Sequence, residues 1–336
     1  MANKTNQKKA LVTGGGGFIG SCLCEELLSH GFKVTALDNF STSNKANISD
    51  LIKNKKFKCH KASILNKTLM QKLIRQCDIV YHMAAAVGVK YIMDHPLGSI
   101  ITNIKGTEIV LEFASRYHKK VILASTSEVY GKHACEPFNE NDDRTLGPTN
   151  KSRWSYAETK AMDEFLALAY AKEKKLPVVI VRLFNTVGPR QTGLYGMVLP
   201  RFILEAMAHK PIIVYGDGKQ QRSFAYVKDV VDAIIALSLK KQAEGEIFNI
   251  GGSTAISIKD LALKVKERTG SPSPIVFVSY EKAYKGSFKN FEDMLCRVPD
   301  VSKLKKMIGF KPTFSIDDII DKTIEYFKYI NKEKMM

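Results

Sequence analysis

Residues 10–38 read ALVTGGGGFIGSCLCEELLSHGFKVTALD, and this stretch decides the fold. A short apolar run leads into four consecutive glycines, then into an amphipathic segment that closes at Gly31, and then into a second apolar run that ends in Asp38. This order predicts a strand, a helix and a second strand. Strands that alternate with helices form a parallel sheet with helices on both faces.

The glycines at positions 14, 17 and 20 predict a dinucleotide site at the turn from strand to helix. Glycine lets the backbone approach a pyrophosphate closely, and the N-terminus of the helix adds its dipole. Asp38 ends the second strand, where a carboxylate accepts the two ribose hydroxyls of an adenosine. Because a carboxylate there repels a 2′-phosphate, the sequence favours NAD over NADP.

The alternation of strands and helices continues to about residue 180, and long helices are predicted over 97–118 and 154–173. After Gly188 the chain is richer in turns and isolated strands. We therefore expect an α/β fold, a Rossmann-type doubly wound parallel sheet with a smaller C-terminal α/β substrate-binding domain. The predicted domains are residues 1–185 for the cofactor, with 224–250 returning to them, and residues 186–336 for the substrate.

Composition excludes several other classes of protein. The 336 residues are 45% hydrophobic and carry a net charge of +17, but the lysines are dispersed and lack the interleaved aromatics of a nucleic-acid-binding surface. The N-terminal residues contain no long apolar segment, so a cytoplasmic location without membrane contact is expected. Six scattered cysteines without zinc-site spacing predict free thiols and no metal site: Cys22, Cys24, Cys59, Cys77, Cys135 and Cys296.

Tyr156 and Lys160 predict the chemistry. They are four residues apart at the start of a predicted helix and therefore lie on one face. A lysine cation beside a phenol favours the phenolate, so we expect a lowered tyrosine pKa and a usable general base. Thr126, at the end of a predicted strand, would donate a hydrogen bond to the reacting oxygen, with Glu128 close by. The predicted catalytic residues are thus Thr126, Glu128, Tyr156 and Lys160.

With these motifs in order, the chain resembles the extended short-chain dehydrogenase/reductases that modify nucleotide sugars. The resemblance covers essentially the whole sequence and rests on ALVTGGGGFIG, LDNFST, YHMAAA, TNIKGT, ASTSEVYG, SYAETK, VRLFNTVGPRQ, VYGDGKQQRSFAYVKDV, FNIGG and RVPDVSKLKKMIGFKP. It implies NAD as the cofactor and a nucleotide sugar, expected to be a UDP-sugar, as the substrate.

The same resemblance implies roles for individual positions. Ser63 departs from the pattern, because many relatives carry an acidic residue there. Residues expected to contact NAD are Gly14, Gly17, Phe18, Ile19, Asp38, Asn39, Ser63, Ile64, Ala84, Ala85, Asn103, Tyr156 and Lys160. Residues expected to contact the nucleotide sugar are Lys90, Asn185, Val198, Tyr215, Arg222 and Arg297.

Relatives usually form homodimers through a four-helix bundle, which would here use residues 97–118 and 153–174 of each subunit. The apolar residues Ile101, Ile104, Ile109 and Leu166 serve either that contact or the core of the monomer.

The reaction stays open at the level of sequence. In this family the sugar is first oxidised at C4, and a 4-epimerase is the first prediction because HMAAAVGVKY, which includes Lys90, resembles UDP-glucuronate 4-epimerases. A UDP-glucuronate decarboxylase is the alternative, since such enzymes use residues that match Glu128 and Arg297, although Ile92 stands where they keep a tyrosine. A 4,6-dehydratase is third because Ser127 argues against it. A catalytically silent NAD-sensing or scaffold protein is the alternative without enzymatic activity.

Overall fold

The structure is a computed structural model, and the parts of the chain that it describes are residues 7–88, 92, 94–132, 137–193, 197–283 and 294–335. Two positions named above, Lys90 and Cys135, lie outside these ranges.

Fourteen strands are described in these parts of the chain: β1 (Lys9–Thr13), β2 (Lys33–Asp38), β3 (Phe57–Lys61), β4 (Ile79–His82), β5 (Lys120–Thr126), β6 (Val178–Leu183), β7 (Thr186–Val187), β8 (Ile212–Tyr215), β9 (Gln221–Ser223), β10 (Ala225–Tyr226), β11 (Glu246–Ile250), β12 (Ala255–Ser257), β13 (Ile275–Val278) and β14 (Cys296–Arg297). The α-helices are α1 (Phe18–Ser29), α2 (Lys67–Gln76), α3 (Pro96–Arg116), α4 (Trp154–Lys174), α5 (Val198–Met207), α6 (Val227–Leu239), α7 (Ile258–Thr269), α8 (Tyr280–Ala283), α9 (Ser302–Ile308) and α10 (Ile316–Met335).

Seven parallel strands form the central sheet in the order β3-β2-β1-β4-β5-β6-β11. The strand order reverses between β1 and β4, so the connections leave these two strands in opposite directions and a crevice opens at their carboxyl ends. β6 reads VVIVRL and is buried along five of its six residues. Such continuous apolar runs are typical of strands that are covered on both faces.

Helices cover both faces of this sheet. On one face α1 and α6 pack through Leu23, Leu27 and Ile234, and on the other face α2, α3 and α4 contribute Ile74 and Val110 among other side chains. The predicted Rossmann-type fold is therefore confirmed. Both long helices form within two residues of their predicted ends.

A separate apolar core organises the C-terminal part of the chain. It includes Leu199, Phe202, Val214, Leu261 and Ile320 from four different elements. Here β9 lies between β12 and β14, and β8 pairs with β13. The chain also enters the large sheet once more, because β11 pairs with β6 at its edge.

Three expectations about surface and chemistry can be compared with the described residues. The five cysteines in these ranges are free thiols. No described helix is both long and apolar enough to cross a membrane. No group of three or more histidine, cysteine or acidic side chains within the described ranges is placed to bind a metal ion.

Candidate active site

A cavity of about 560 Å³ lies at the carboxyl ends of the parallel strands. Its walls come from the loops and strand ends after β1 to β6 and from the C-terminal part of the chain. The predicted site residues that line it are Gly14, Gly17, Phe18, Ile19, Asp38, Asn39, Ser63, Ile64, Ala84, Ala85, Thr126, Glu128, Tyr156, Asn185, Val198, Tyr215, Arg222 and Arg297.

The glycine-rich loop leaves no room for side chains at two of its positions. Gly14 has a φ of 69°, and a Cβ there would lie 2.8 Å from the backbone nitrogen of Ala84. A Cβ on Gly20 would overlap the carbonyl oxygen of Gly14. Gly17 is the N-cap of α1, and no side chain caps its first turn. The backbone N–H groups at the start of α1 therefore have no side-chain cap and lie beside the cavity. Such groups can donate hydrogen bonds to a pyrophosphate.

Gly20→Ala should reduce the affinity for NAD at least about tenfold, because the new methyl group pushes the Gly14 carbonyl out of the loop. Titration with NADH, followed by fluorescence, measures this loss. Gly98→Ala is the matched control, since a Cβ there meets no atom within 4 Å. If the Gly20→Ala variant binds NADH as tightly as the Gly98→Ala variant, the glycine loop does not bind the cofactor.

Asp38 is fixed at the wall of the cavity by three donors. Its Oδ2 accepts a hydrogen bond from the Gly16 N–H at 2.9 Å, and its Oδ1 accepts from the Phe40 N–H at 2.7 Å and the Ser43 hydroxyl at 2.8 Å. Asp38 as a whole is only 7% exposed. A fixed negative charge at this end of the cavity fits the ribose of an adenosine and disfavours a 2′-phosphate.

Thr126, Glu128 and Tyr156 come together at the other end of the cavity. Thr126 is the last residue of β5, and its hydroxyl accepts a hydrogen bond from the Glu128 N–H at 3.2 Å. Tyr156 lies in the first turn of α4. Burial raises the pKa of the Tyr156 phenol, and the charges of Glu128 and Asp163 raise it further, whereas a hydrogen bond with Thr126 lowers it.

The predicted effect of Lys160 on this phenol is wrong for the structure described here, because the pKa of Tyr156 is raised. Burial of the phenol is the largest cause of this rise, followed by the charges of Glu128 and Asp163. The Lys160 Nζ instead donates to the Asp163 Oδ2 at 2.9 Å, and both side chains are buried. Lys160 does not line the cavity.

Asn103, which was expected to contact the cofactor, also does not line the cavity. Its Oδ1 accepts from the Ala86 N–H at 2.8 Å, and its Nδ2 donates to the Thr159 hydroxyl at 3.3 Å. Asn103 therefore joins the loop after β4 to helix α4.

Glu128 bridges two arginines in the wall of the cavity. Its Oε1 accepts from the Arg297 Nη1 at 2.6 Å, and its Oε2 accepts from the Arg153 Nη2 at 3.2 Å. Arg153 was not among the predicted site residues, although it precedes Tyr156 by three positions and so could have been expected near the same end of α4. Arg153, Glu128 and Arg297 are called the charge triad below.

The predicted substrate residues that line the cavity come from the loop after β6 (Asn185), from the start of α5 (Val198) and from β8, β9 and β14 (Tyr215, Arg222 and Arg297). Arg222 on β9 pairs in register with Arg297 on β14. The Asn185 Nδ2 donates to the Ser223 carbonyl oxygen at 2.9 Å, and the guanidinium of Arg201, a further residue that the prediction missed, stacks over the Tyr215 ring at 4.6 Å. Lys90 lies outside the described residues.

Residues 10–251 match the model of the NAD dependent epimerase/dehydratase family. The chain belongs to this family. Its resemblance to nucleotide-sugar-modifying dehydrogenase/reductases is thereby confirmed, and it is an enzyme that uses NAD, the cofactor with which its glycine loop and Asp38 are compatible.

Individual relatives in the family carry two kinds of name. A protein of Bacillus cytotoxicus named UDP-N-acetyl-alpha-D-glucosaminuronate decarboxylase is 45% identical over 328 residues, which are 97% of this chain and 100% of the relative. UDP-glucuronic acid decarboxylase 1 of Xenopus tropicalis is 33% identical over 97% of this chain and 73% of its own length. The structure of UDP-glucuronic acid 4-epimerase from Bacillus cereus with UDP-glucuronic acid and NAD has a TM-score of 0.85, with 32% identity over 96% of this chain and 99% of that one.

Proposed function

We propose that this enzyme is an NAD-dependent UDP-hexuronate decarboxylase and that UDP-N-acetylglucosaminuronate is its first candidate substrate. The observation that carries the proposal is the charge triad beside Tyr156, because a glutamate and an arginine at the positions of Glu128 and Arg297 are the decarboxylase pattern. The 45% identity to a UDP-N-acetyl-alpha-D-glucosaminuronate decarboxylase supports both the reaction and the sugar.

We divide the site between two parts of the chain. Residues 1–185, together with 224–250, would bind NAD through the glycine loop and Asp38. Residues 186–336 would bind the nucleotide sugar, with Arg222 near the diphosphate or the sugar, and Asn185, the last residue of the cofactor-binding part, would contact the same ligand. Arginine suits a diphosphate because its planar fork donates two parallel hydrogen bonds to phosphate oxygens.

Tyr156 would act first, as the general base on the C4 hydroxyl of the sugar. It takes the hydroxyl proton, while Thr126 donates a hydrogen bond to the same oxygen. NAD supplies the redox chemistry, since it accepts the hydride from C4 and can return it later. Lys160 would stabilise the phenolate from one turn further along α4.

The second step needs no further oxidant. A ketone at C4 is β to the C6 carboxylate, so the C5–C6 bond can break, carbon dioxide leaves and the electron pair passes into a C4–C5 enolate. C5 then takes a proton, C4 is reduced again, and Tyr156 returns its proton to the C4 oxygen. In sum, a UDP-hexuronate and one proton give a UDP-pentose and carbon dioxide.

The charge triad would place the carboxylate that is lost. Arg153 and Arg297 carry two positive charges and Glu128 one negative charge, so the triad has a net charge of about +1 to offer an incoming carboxylate. Glu128 keeps the two guanidinium groups together while the sugar is absent.

Product analysis tests the proposal. The purified enzyme is incubated with NAD and, separately, with UDP-N-acetylglucosaminuronate, UDP-glucuronate, UDP-N-acetylglucosamine and UDP-glucose, and the products are examined by mass spectrometry and NMR. We expect loss of carbon dioxide from one or both uronates and no change in the neutral sugars. Loss of water from a neutral sugar would overturn the proposal in favour of a 4,6-dehydratase.

A 4-epimerase remains the second candidate, and one observation favours it. The Bacillus cereus UDP-glucuronic acid 4-epimerase structure superposes on this chain with a TM-score of 0.85. Unchanged mass with inverted configuration at C4 would support this alternative. We place it second because simple epimerases more often carry a small residue at the position of Glu128.

We also propose a homodimer formed through α3 and α4. Of the four residues considered for this contact, Ile109 is buried in the core of the monomer, whereas α4 exposes Met162 and Phe165 by 53% and 62%. Phe165→Glu should convert a dimer to a monomer in light scattering, with Phe277→Glu, the same change at a 48% exposed position on β13, as the control. A wild-type monomer at micromolar concentration would contradict the proposal.

The cytoplasmic location stays a prediction.

A further inference from the structure

Lys160 and Asp163 form a closed ion pair inside the enzyme. The Nζ and Oδ2 atoms are 2.9 Å apart, and each of the two residues is only 1% exposed. Lys160 follows Tyr156 by four positions on α4 and Asp163 follows Lys160 by three, so the three residues lie along one face of the helix. The mechanism proposed above uses Lys160 and leaves Asp163 without a role.

Stability alone is a weak reason for such a pair. Taking two charges out of water costs several kcal/mol per ion, and apolar residues of similar volume are often equally stabilising. Burial raises the pKa of Asp163 even with Lys160 beside it, so the site tolerates this carboxylate at a cost. A function that depends on its charge is the alternative explanation.

Among the described residues, several other charged groups of the cavity wall and of α4 have partners in the structure. Arg153 and Arg297 bind Glu128, and the Arg182 guanidinium binds Glu164 at 2.8 Å. His82 is buried on β4 between the hydroxyls of Thr13 and Thr107, and burial and the charge of Lys160 lower its pKa to about 3. His82 is thus neutral at physiological pH, and Thr107 and Thr126 carry no charge. Among these described groups, Asp163 is the carboxylate on α4 whose charge acts on the Tyr156 phenol, and Lys160 is its partner.

We propose that Asp163 is a positioning residue that fixes Lys160 and limits the positive charge that Lys160 presents to Tyr156, and so sets the pH range in which Tyr156 acts as a base. This inference rests on the proposed role of Tyr156. Without the carboxylate, an unpaired ammonium group would favour the phenolate and repel the positively charged oxidised nicotinamide.

Asp163→Asn tests the proposal through the pH dependence of kcat/KM. The acidic limb of the profile should move to lower pH, so that the rate at pH 6, relative to the plateau of the same variant, rises roughly tenfold. Asp163→Glu, which restores the charge, should return the profile toward that of the wild type. Glu158→Gln is the matched control. It removes from the same helix an exposed carboxylate, which pairs with Arg144.

A binding measurement gives a second readout that does not need turnover. The ratio of the dissociation constants for NAD+ and NADH, obtained by calorimetry, should rise in Asp163→Asn and stay unchanged in Glu158→Gln. If Asp163→Asn does not fold, Asp163→Ser, which is smaller and admits water, is used for both measurements.

The outcomes separate this inference from the proposed function. An active wild type with an unshifted profile and an unchanged NAD+/NADH ratio in Asp163→Asn would overturn the inference and leave the function standing. If the wild type converts no UDP-sugar, the proposed function fails, whereas the cofactor ratio still tests the charge of Lys160.

Discussion

Tyr156→Phe is expected to bind NAD normally and to form product about a thousandfold more slowly than the wild type. In the proposed mechanism the phenol takes the C4 proton, and the substitution removes only its oxygen. Initial rates with the accepted UDP-sugar measure the loss, and NADH titration confirms that the cofactor site is intact.

Tyr170→Phe is the matched control for this experiment. Tyr170 lies on the same helix and packs against the core cluster of α2, α3 and α4, away from the cavity lining. Its rate should stay within about twofold of the wild type. Full activity in Tyr156→Phe would show that the enzyme does not use this base. If even the wild type converted no UDP-sugar, an NAD-sensing or scaffold role would become the better hypothesis.

The second large effect is expected from Glu128→Gln, which should slow carbon dioxide release about a hundredfold while the oxidation of C4 continues. The glutamine keeps the shape of the side chain but leaves Arg153 and Arg297 without the carboxylate that binds both. The two guanidinium groups are then no longer held together, so each can bind the substrate carboxylate in a different position from the one that favours loss of carbon dioxide. We expect reduced cofactor to accumulate on the enzyme, measured by its absorbance in a single turnover.

The loss of the Glu128 charge should also shift the pH dependence of the oxidation step in a defined direction. The negative charge of Glu128 raises the pKa of Tyr156, so its removal should lower that pKa and extend the oxidation step to lower pH. Glu158→Gln, which breaks an exposed ion pair with Arg144, should change neither step. If Glu128→Gln releases carbon dioxide at the wild-type rate, the charge triad has no part in decarboxylation.

Local patterns account for the part of the fold that could be predicted. The glycines at 14, 17 and 20 and the apolar run that ends at Asp38 specify a strand, a turn and a helix within one short stretch, and α3 and α4 follow from apolar periodicity. The C-terminal part is different. Its strands β9, β12 and β14 are two or three residues long and are brought together from distant positions, which periodicity cannot reveal.

The same distinction applies to the site. Residues at strand ends, such as Thr126 and Asp38, could be placed because parallel strands end at one edge of a sheet. Glu128 and Arg297 meet across 169 positions of sequence, and no local pattern joins them. Asp163 was a local signal that went unused: its spacing from Lys160 is that of a helical ion pair, which predicts a partner for the lysine other than the phenol.

The position of β11 has a consequence for how this chain is made. The large sheet is left after β6 and is completed only when Glu246–Ile250 pairs with that strand. While the intervening residues are still being synthesised, the almost fully buried β6 presents unpaired backbone groups to its surroundings. An unpaired, largely apolar strand edge favours aggregation, so we expect chains that end before Glu246 to aggregate more readily than the full chain.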